Sequence, residues 1–311
     1  MIEPELPEKS LKTLNDVMEM WRELVAPQRK PRGLETTESH WHAHIQPHLG
    51  HLTLARLTVR RVQQFVNRIS PGRSGKVVEN IVLTLTAMLR HASRWDRNVK
   101  PIRIADLIMP EKQKSIARFY EVDEIKTLIA AAKEPLRTIL ITLALTGMRI
   151  NEVLALRTQD LDFKRRILCV RYSAYNGTLG TPKTQASVAD LHMPAELVDA
   201  LNGFLTSIHY RQNALDLVFC NQRSRPYSDN KVRAKMLRPL LNELGLYSPG
   251  KVFHAIRHTT GSVMLESGAS IINVQRQLRH TSATTTLNIY GHVLGDSQRR
   301  AVDKLAQVLM T

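Results

Sequence analysis

Arg149, Lys183, His254, Arg257, His280 and Tyr290 can each hold, protonate or attack an anion, and they follow one another along a chain of 311 residues. The first lies in Leu145-Thr-Gly-Met-Arg149-Ile-Asn-Glu152. An arginine one step into a helix, just after a glycine turn, aims its fork where the helix's N-terminal amides also face, which makes a seat for phosphate. Glu152, three positions on, can hold that arginine from below. An ordinary helix-start ion pair fits the same residues equally well.

The second cluster is His254-Ala-Ile-Arg257-His258-Thr259. Steps of three and four put His254, Arg257 and His258 on one helix face. Histidines at i and i+4 suit zinc, but no glutamate lies between them and Arg257 repels a cation, so a metal is not expected. The third cluster is Leu278-Arg279-His280, with Tyr290 ten residues beyond the histidine. Taken alone, that tyrosine reads as a buried ring with a bonded hydroxyl.

Taken together, the pieces resemble the tyrosine recombinase family, the phage integrases and their Xer-type relatives. The resemblance rests on Thr-Gly-Met-Arg149-x-x-Glu152, Pro182-Lys183-Thr184, His254-x-x-Arg257-His258-Thr, Leu278-x-His280 and Ile289-Tyr290-x-His292, in that order from Phe119 onward. It implies that Tyr290 is the nucleophile, that Arg149 and Arg257 clamp the scissile phosphate, and that His280 adds a hydrogen bond to it. It further implies that His254 assists proton transfer or orients the phosphate, and that Lys183 protonates the leaving 5′ oxygen. Glu152 and His258 support these from behind. One position departs from the family: glycine usually precedes the second histidine, and here Arg279 does. A tolerated surface substitution is the expected reading, with a local backbone change or an added phosphate contact as alternatives.

The implied chemistry is self-consistent. Attack on a phosphodiester concentrates charge on two non-bridging oxygens, which two fixed guanidiniums match. A phenol of ordinary pKa about 10 needs a base or a cationic field to ionise near neutrality. A lysine beside arginines can serve as the acid. The 3′-phosphotyrosyl bond conserves the energy of the broken link, so no metal, ATP or other cofactor is called for.

The elements that must position these groups are mostly helices. Helical periodicity runs from Ser10-Leu11 to Val25, where Pro27 and Pro31 end it, and resumes over Thr36–Ile45 up to Pro47. Thr58 caps a helix over Val59–Ile69, and another covers Lys76–Trp95. Two prolines and several charges mark residues 98–117 as a linker. Beyond it come helices over Glu121–Ala132, Pro135–Leu145 and Arg149–Leu156. A small sheet over Arg166–Met193 follows, turning at Asn176-Gly177, and helices resume from Ala195. The expected fold is mainly α with a small antiparallel β-sheet in the catalytic domain. Residues 1–10 read as a disordered tail, 11–97 as a helical core-type DNA-binding domain, and 118–311 as the catalytic domain with a C-terminal docking tail.

Charge agrees with a polyanionic partner. Lys+Arg 44 against Asp+Glu 28 gives +16, and residues 29–100 hold 13 Lys/Arg against 4 Asp/Glu. Arg56, Arg60, Arg61, Arg68, Arg73 and Lys76 are candidates for phosphate contacts there. The run His40, His42, His44, His48, His51 alternates too closely to converge on a metal from one helix face and reads as surface and core histidines. With only ten residues ahead of the helical unit, a simple Xer-like architecture without a further arm-binding domain is expected. Cys169 and Cys220 lack framework spacing and read as reduced thiols, no secretory signal or membrane span is evident, and a cytoplasmic location follows. Val302, Leu305 and Leu309 form a C-terminal stripe that fits either the protein's own core or a neighbouring protomer.

The resemblance implies a homotetramer acting on specific recombination sites in double-stranded DNA, with a separate directionality factor as a possible partner. Integration, excision, inversion and resolution all fit. The alternatives are a type IB topoisomerase, which shares the chemistry but acts as a monomer, and a non-catalytic DNA-binding regulator.

Overall fold

The computed structural model describes residues 11–112, 118–180, 189–250, 252–280, 282, 284, 286–287 and 295–310. The chain divides into two compact units, Met1–Ser115 and Ile116–Thr311.

Unit 1 is helical. α1 (Leu14–Leu24) starts at Thr13, whose hydroxyl accepts from the Asp16 amide while the Asp16 carboxylate accepts from the Thr13 amide, a reciprocal cap. α2 (Pro31–His40) begins at a proline that the sequence reading used to end α1. Proline at the first helical position has no amide to lose and a pre-set φ, so it starts a helix as readily as it stops one. The backbone then continues in wider turns through Trp41–Gly50, carrying Pro47 inside it. α3 (Val59–Ile69) is capped by Thr58, and α4 (Gly75–Ala92) by Ser74. Leu14, Met18, Trp41, Ile45, Phe65, Ile81, Leu85 and Met88 are buried among the facing helices. The stretch read as a linker is partly built into this unit, because Val99, Ile102 and Leu107 are buried in the same core.

Unit 2 is built around α5 (Val122–Ala131), α6 (Leu136–Thr146), the single turn α7 (Ile150–Val153) and α8 (Ala195–Leu205). β1 (Leu161–Asp162), β2 (Ile167–Val170) and β5 (Ala189–His192) make an antiparallel sheet in the order β1-β2-β5. β3 (Ser173–Tyr175) and β4 (Thr178–Gly180) form a separate hairpin. Its two-residue turn has φ of 47° at Asn176 and 79° at Gly177, the doubly left-handed geometry that Asn-Gly accepts at low cost. The β region is thus two small sheets rather than one. α9 (Asp229–Val232) runs on through Leu237 into α10 (Arg238–Glu243). α11 (Phe253–Glu266) and α12 (Ile271–Leu278) complete the described site-bearing helices, and α13 (Gly295–Met310) closes the chain. Val302, Leu305 and Leu309 on α13 are exposed, so they do not join this unit's core. Cys169 and Cys220 are both free thiols.

Tyr120 fastens the start of this unit to α11. Its backbone amide donates to the Thr259 hydroxyl at 2.8 Å, and that hydroxyl donates back to the Tyr120 carbonyl at 2.7 Å.

Candidate active site

The carboxyl end of α6 is where the site assembles. The last carbonyls of a helix have no partner within it and sit at the negative end of its dipole. Here three side chains from two helices supply the partners. Thr260 on α11 donates to the Ala144 carbonyl at 2.9 Å, Gln277 on α12 donates to the Thr146 carbonyl at 3.0 Å, and Arg257 donates to the Gly147 carbonyl. Gly147 turns the chain with φ of 64°. A methyl group there would sit 2.5 Å from Leu278 Cδ2, so conformation and space both require glycine.

That turn delivers Arg149. The residue is the N-cap of α7 rather than a position inside the helix, with an extended backbone (φ −75°, ψ 144°). Glu152 reaches back to accept from the Arg149 amide at 2.9 Å and from its Nη1 at 2.8 Å. The carboxylate is buried while the arginine side chain remains about one-third exposed, open to a ligand. Local geometry explains the pair: residue N3 of a helix faces the N-cap amide, and a glutamate there closes a capping box.

Arg257 is buried on α11. Besides Gly147 it also donates through Nη2 to the Leu278 carbonyl at the end of α12. One guanidinium therefore ties together the glycine turn, the His-x-x-Arg helix and the Leu-x-His segment. His254 and His258, four apart on α11, stack edge to face with ring centroids 5.8 Å apart, and Phe119 tilts against His258 at the same centroid separation. His280 lies against Thr286, with Nδ1 to Oγ1 at 2.9 Å.

Burial and positive surroundings keep these rings neutral. His258 is pushed down to about 4 by loss of solvent, with His254 and Arg257 adding repulsion. His280 falls to about 4 for the same first reason, reinforced by Arg257 and Arg149. His254, which shows a face to solvent, is lowered by the dense protein around it and then by Arg257 and Arg149, against a smaller opposing pull from Glu152. Such a set of cations beside neutral imidazoles can bind an anion and exchange protons with it.

Arg279 corrects the sequence reading. It is not on the surface: its side chain is 1% exposed, and Nη2 pairs with the second oxygen of Glu152. Glu152 thus bridges two guanidiniums. Arg279 also holds the left-handed conformation (φ 51°, ψ 48°) that ends α12, which accounts for the family's usual glycine there. The sequence marked position 279 as a departure from the family's glycine but gave no sign of its burial, because Glu152 lies 127 positions away. Thr260 and Gln277 were not marked at all.

Arg149, Glu152, His254, Arg257, His258 and His280 are brought together in this one place. Lys183 and Tyr290 lie outside the described residues. In unit 1, Arg56, Arg60, Arg61, Arg68, Arg73 and Lys76 are all exposed. Lys76 is engaged by Glu79 at 2.8 Å, and Arg73 caps the Ile69 carbonyl at 2.9 Å. Of the histidine run, His40 bonds Thr84 at 2.8 Å and His48 tilts on Phe65, so these are packing and surface residues.

The fold and this cluster of arginines and histidines suit an enzyme that binds an anionic substrate. The phage integrase family model matches residues 118–296, and the phage integrase N-terminal SAM-like domain matches residues 13–70. The chain belongs to the phage integrase family and is a tyrosine-type site-specific DNA recombinase. It is 26% identical over 324 residues to a tyrosine recombinase XerC-like protein of Caldanaerobacter subterraneus subsp. tengcongensis, covering 94% of this chain and 82% of that one. It is 29% identical over 251 residues to tyrosine recombinase XerA of Pyrococcus furiosus, covering 79% and 80%.

Among solved structures, the Tn1549 transposon integrase in complex with transposon right end DNA superposes with a TM-score of 0.77. The identity is 20%, over 94% of this chain and 99% of that one. A lambda integrase tetramer bound to a Holliday junction gives 0.67 at 19% identity, over 89% and 78%. These relatives do not favour the topoisomerase alternative.

Proposed function

We propose that this recombinase uses Arg149 and Arg257 to seat the scissile phosphate and Tyr290 to attack it. The observation that carries the reading is the junction itself, where Arg257 joins the Gly147 turn to the end of α12 and so sets Arg149 beside His254 and His280. The Tyr290 phenolate oxygen bonds to phosphorus while the P–O5′ bond breaks, leaving a 3′-phosphotyrosine and a 5′ hydroxyl. The phenol proton passes to His254, and Lys183 supplies the proton that the 5′ oxygen takes. His280 donates to a non-bridging oxygen. Glu152 and His258 position these groups from behind. Religation is the same step reversed, with a 5′ hydroxyl from a second strand as the attacking group.

The substrate is double-stranded DNA carrying specific sites. Exposed Arg56, Arg60, Arg61, Arg68, Arg73 and Lys76 of unit 1 are the proposed backbone contacts. A homotetramer is the proposed working state, with the exposed Val302, Leu305 and Leu309 of α13 docking on a neighbouring copy, and a directionality factor acting from outside. Among the described residues no helix is long and apolar enough to cross a membrane. A cytoplasmic setting, where DNA is met, is part of the proposal.

The test is covalent capture. Wild-type protein incubated with a random-sequence pool of nicked duplexes, with EDTA present, forms a denaturation-resistant adduct, and sequencing the captured DNA yields the preferred duplex. Tyr290→Phe forms none. A wild type without adduct, or a phenylalanine variant with one, overturns the reading.

A further inference from the structure

Arg279 has more hydrogen-bonding capacity than the protein uses. Its Nη2 sits on Glu152, while its Nε and Nη1 are buried and find no hydrogen-bond partner among the described residues. A guanidinium withdrawn from water with donors unmet is an unfavourable state, and a structure that keeps one has a reason to do so. The electrostatics sharpen the point. Two guanidiniums, Arg149 and Arg279, share one carboxylate, Glu152, and a third, Arg257, bears on the neighbouring His280. Glu152 is the acidic group that acts on Arg279, Arg149 repels it, and Arg279 in turn bears on His280. Two cations on one carboxylate leave a net positive charge, which favours an anion as the further acceptor.

Backbone conformation adds a second, independent observation. Position 279 ends α12 in the left-handed region, where glycine is the undemanding choice. An arginine is held there against that preference, with its side chain directed inward. Neither helix capping nor surface charge accounts for it.

We propose that Arg279 is a third phosphate-binding arginine, donating from Nε and Nη1 to an oxygen of the DNA backbone at the site of cleavage while Nη2 stays on Glu152. This rests on the assignment of Arg149 and Arg257 to the scissile phosphate. The rival role is purely internal: Arg279 could serve only to neutralise buried Glu152 and so position Arg149.

The experiment measures single-turnover cleavage of the duplex selected by wild type, made with either a natural phosphodiester or an uncharged methylphosphonate at the scissile position. Arg279→Gly keeps a residue at ease in the left-handed backbone. It is expected to cleave the phosphodiester roughly 10²-fold more slowly than wild type, as for loss of one preorganised donor. On the methylphosphonate its deficit should shrink to about threefold or less, because one charge has left the phosphate. In a Glu152→Gln background, removing Arg279 should cost the same factor as in wild type. Arg279→Lys keeps the charge without the fork and provides the same comparison should the glycine variant melt early.

A glycine variant that cleaves the phosphodiester at the wild-type rate overturns the proposal. So does a deficit equal on both substrates, or one that vanishes once Glu152 is glutamine, which assigns the internal role. Absence of any wild-type adduct overturns this proposal and the underlying reading together.

Discussion

Arg257 donates from Nη1 to the carbonyl of Gly147, a residue 110 positions earlier in the chain. The bond places a permanent cation at the negative end of α6 and fixes the turn from which Arg149 departs. Because Nη2 of the same group holds Leu278, the start of the His280 segment is set by the same atom cluster. Site geometry and helix termination are here one interaction.

Gly147→Ala tests that turn. Its positive φ and the 2.5 Å approach of Leu278 Cδ2 leave no unstrained place for a methyl group. A loss of about 2–4 kcal/mol is expected, the left-handed penalty plus overpacking. Chemical denaturation of the two proteins reads it directly. Stability within about 0.5 kcal/mol of wild type would show that the turn relaxes freely.

Glu152→Ala removes the carboxylate shared by Arg149 and Arg279. Because Glu152 and Arg279 are both buried, the uncompensated guanidinium should lower stability by about 3–5 kcal/mol. Glu152→Gln retains an acceptor and should lose less. Equal losses in the two variants would argue that charge compensation is not what Glu152 provides.

His258 and His280 give a stability profile with a defined sign. Each folded ring takes up its proton only near pH 4, against an ordinary value of 6.5 in the unfolded chain. Between those values the unfolded chain binds more protons, so stability falls as pH drops below about 6.5 and levels off below about 4. The two together should contribute on the order of 2–5 kcal/mol over that window. Urea midpoints between pH 6.5 and 5 report the slope, and replacing both histidines by asparagine should make it markedly shallower, leaving the part due to His254 and the other lowered histidines. An unchanged slope after the replacement would show that His258 and His280 are not its source.

The basic face of unit 1 should reveal itself through salt. Removing a true phosphate contact reduces the slope of log affinity against log salt by about 0.9. Arg68→Ala, at an exposed position, is expected to show most of that change. Lys76→Ala should show much less, because Glu79 already holds Lys76 at 2.8 Å. Identical slopes for wild type and both variants would remove these residues from the interface.

Much of this was legible in the sequence, and the failures have physical causes. Thr58 at the head of α3 was readable because capping is local, and Asn176-Gly177 because only a tight hairpin turn wants that pair. Pro31 was misread because proline punctuates both ends of helices. Val99, Ile102 and Leu107 escaped because a core assembled from a non-periodic segment leaves no period to detect. At the site, the Arg149–Glu152 pair was foreseeable from spacing alone. The burial of Arg279 was not, since its partner lies 127 positions away. Thr260 and Gln277 are equally silent in one dimension, because both act on the end of a helix formed more than a hundred residues before them.

The junction at the end of α6 also has a consequence for the order in which the site can form during synthesis. Arg149 leaves the ribosome early, attached to a turn whose carbonyls await Arg257, Thr260 and Gln277. Until residues 257–277 have been synthesised and packed, the proposed phosphate seat has one wall. A truncated chain can keep the basic residues of unit 1 and still lack Arg257, His280 and the turn that Arg257 fixes.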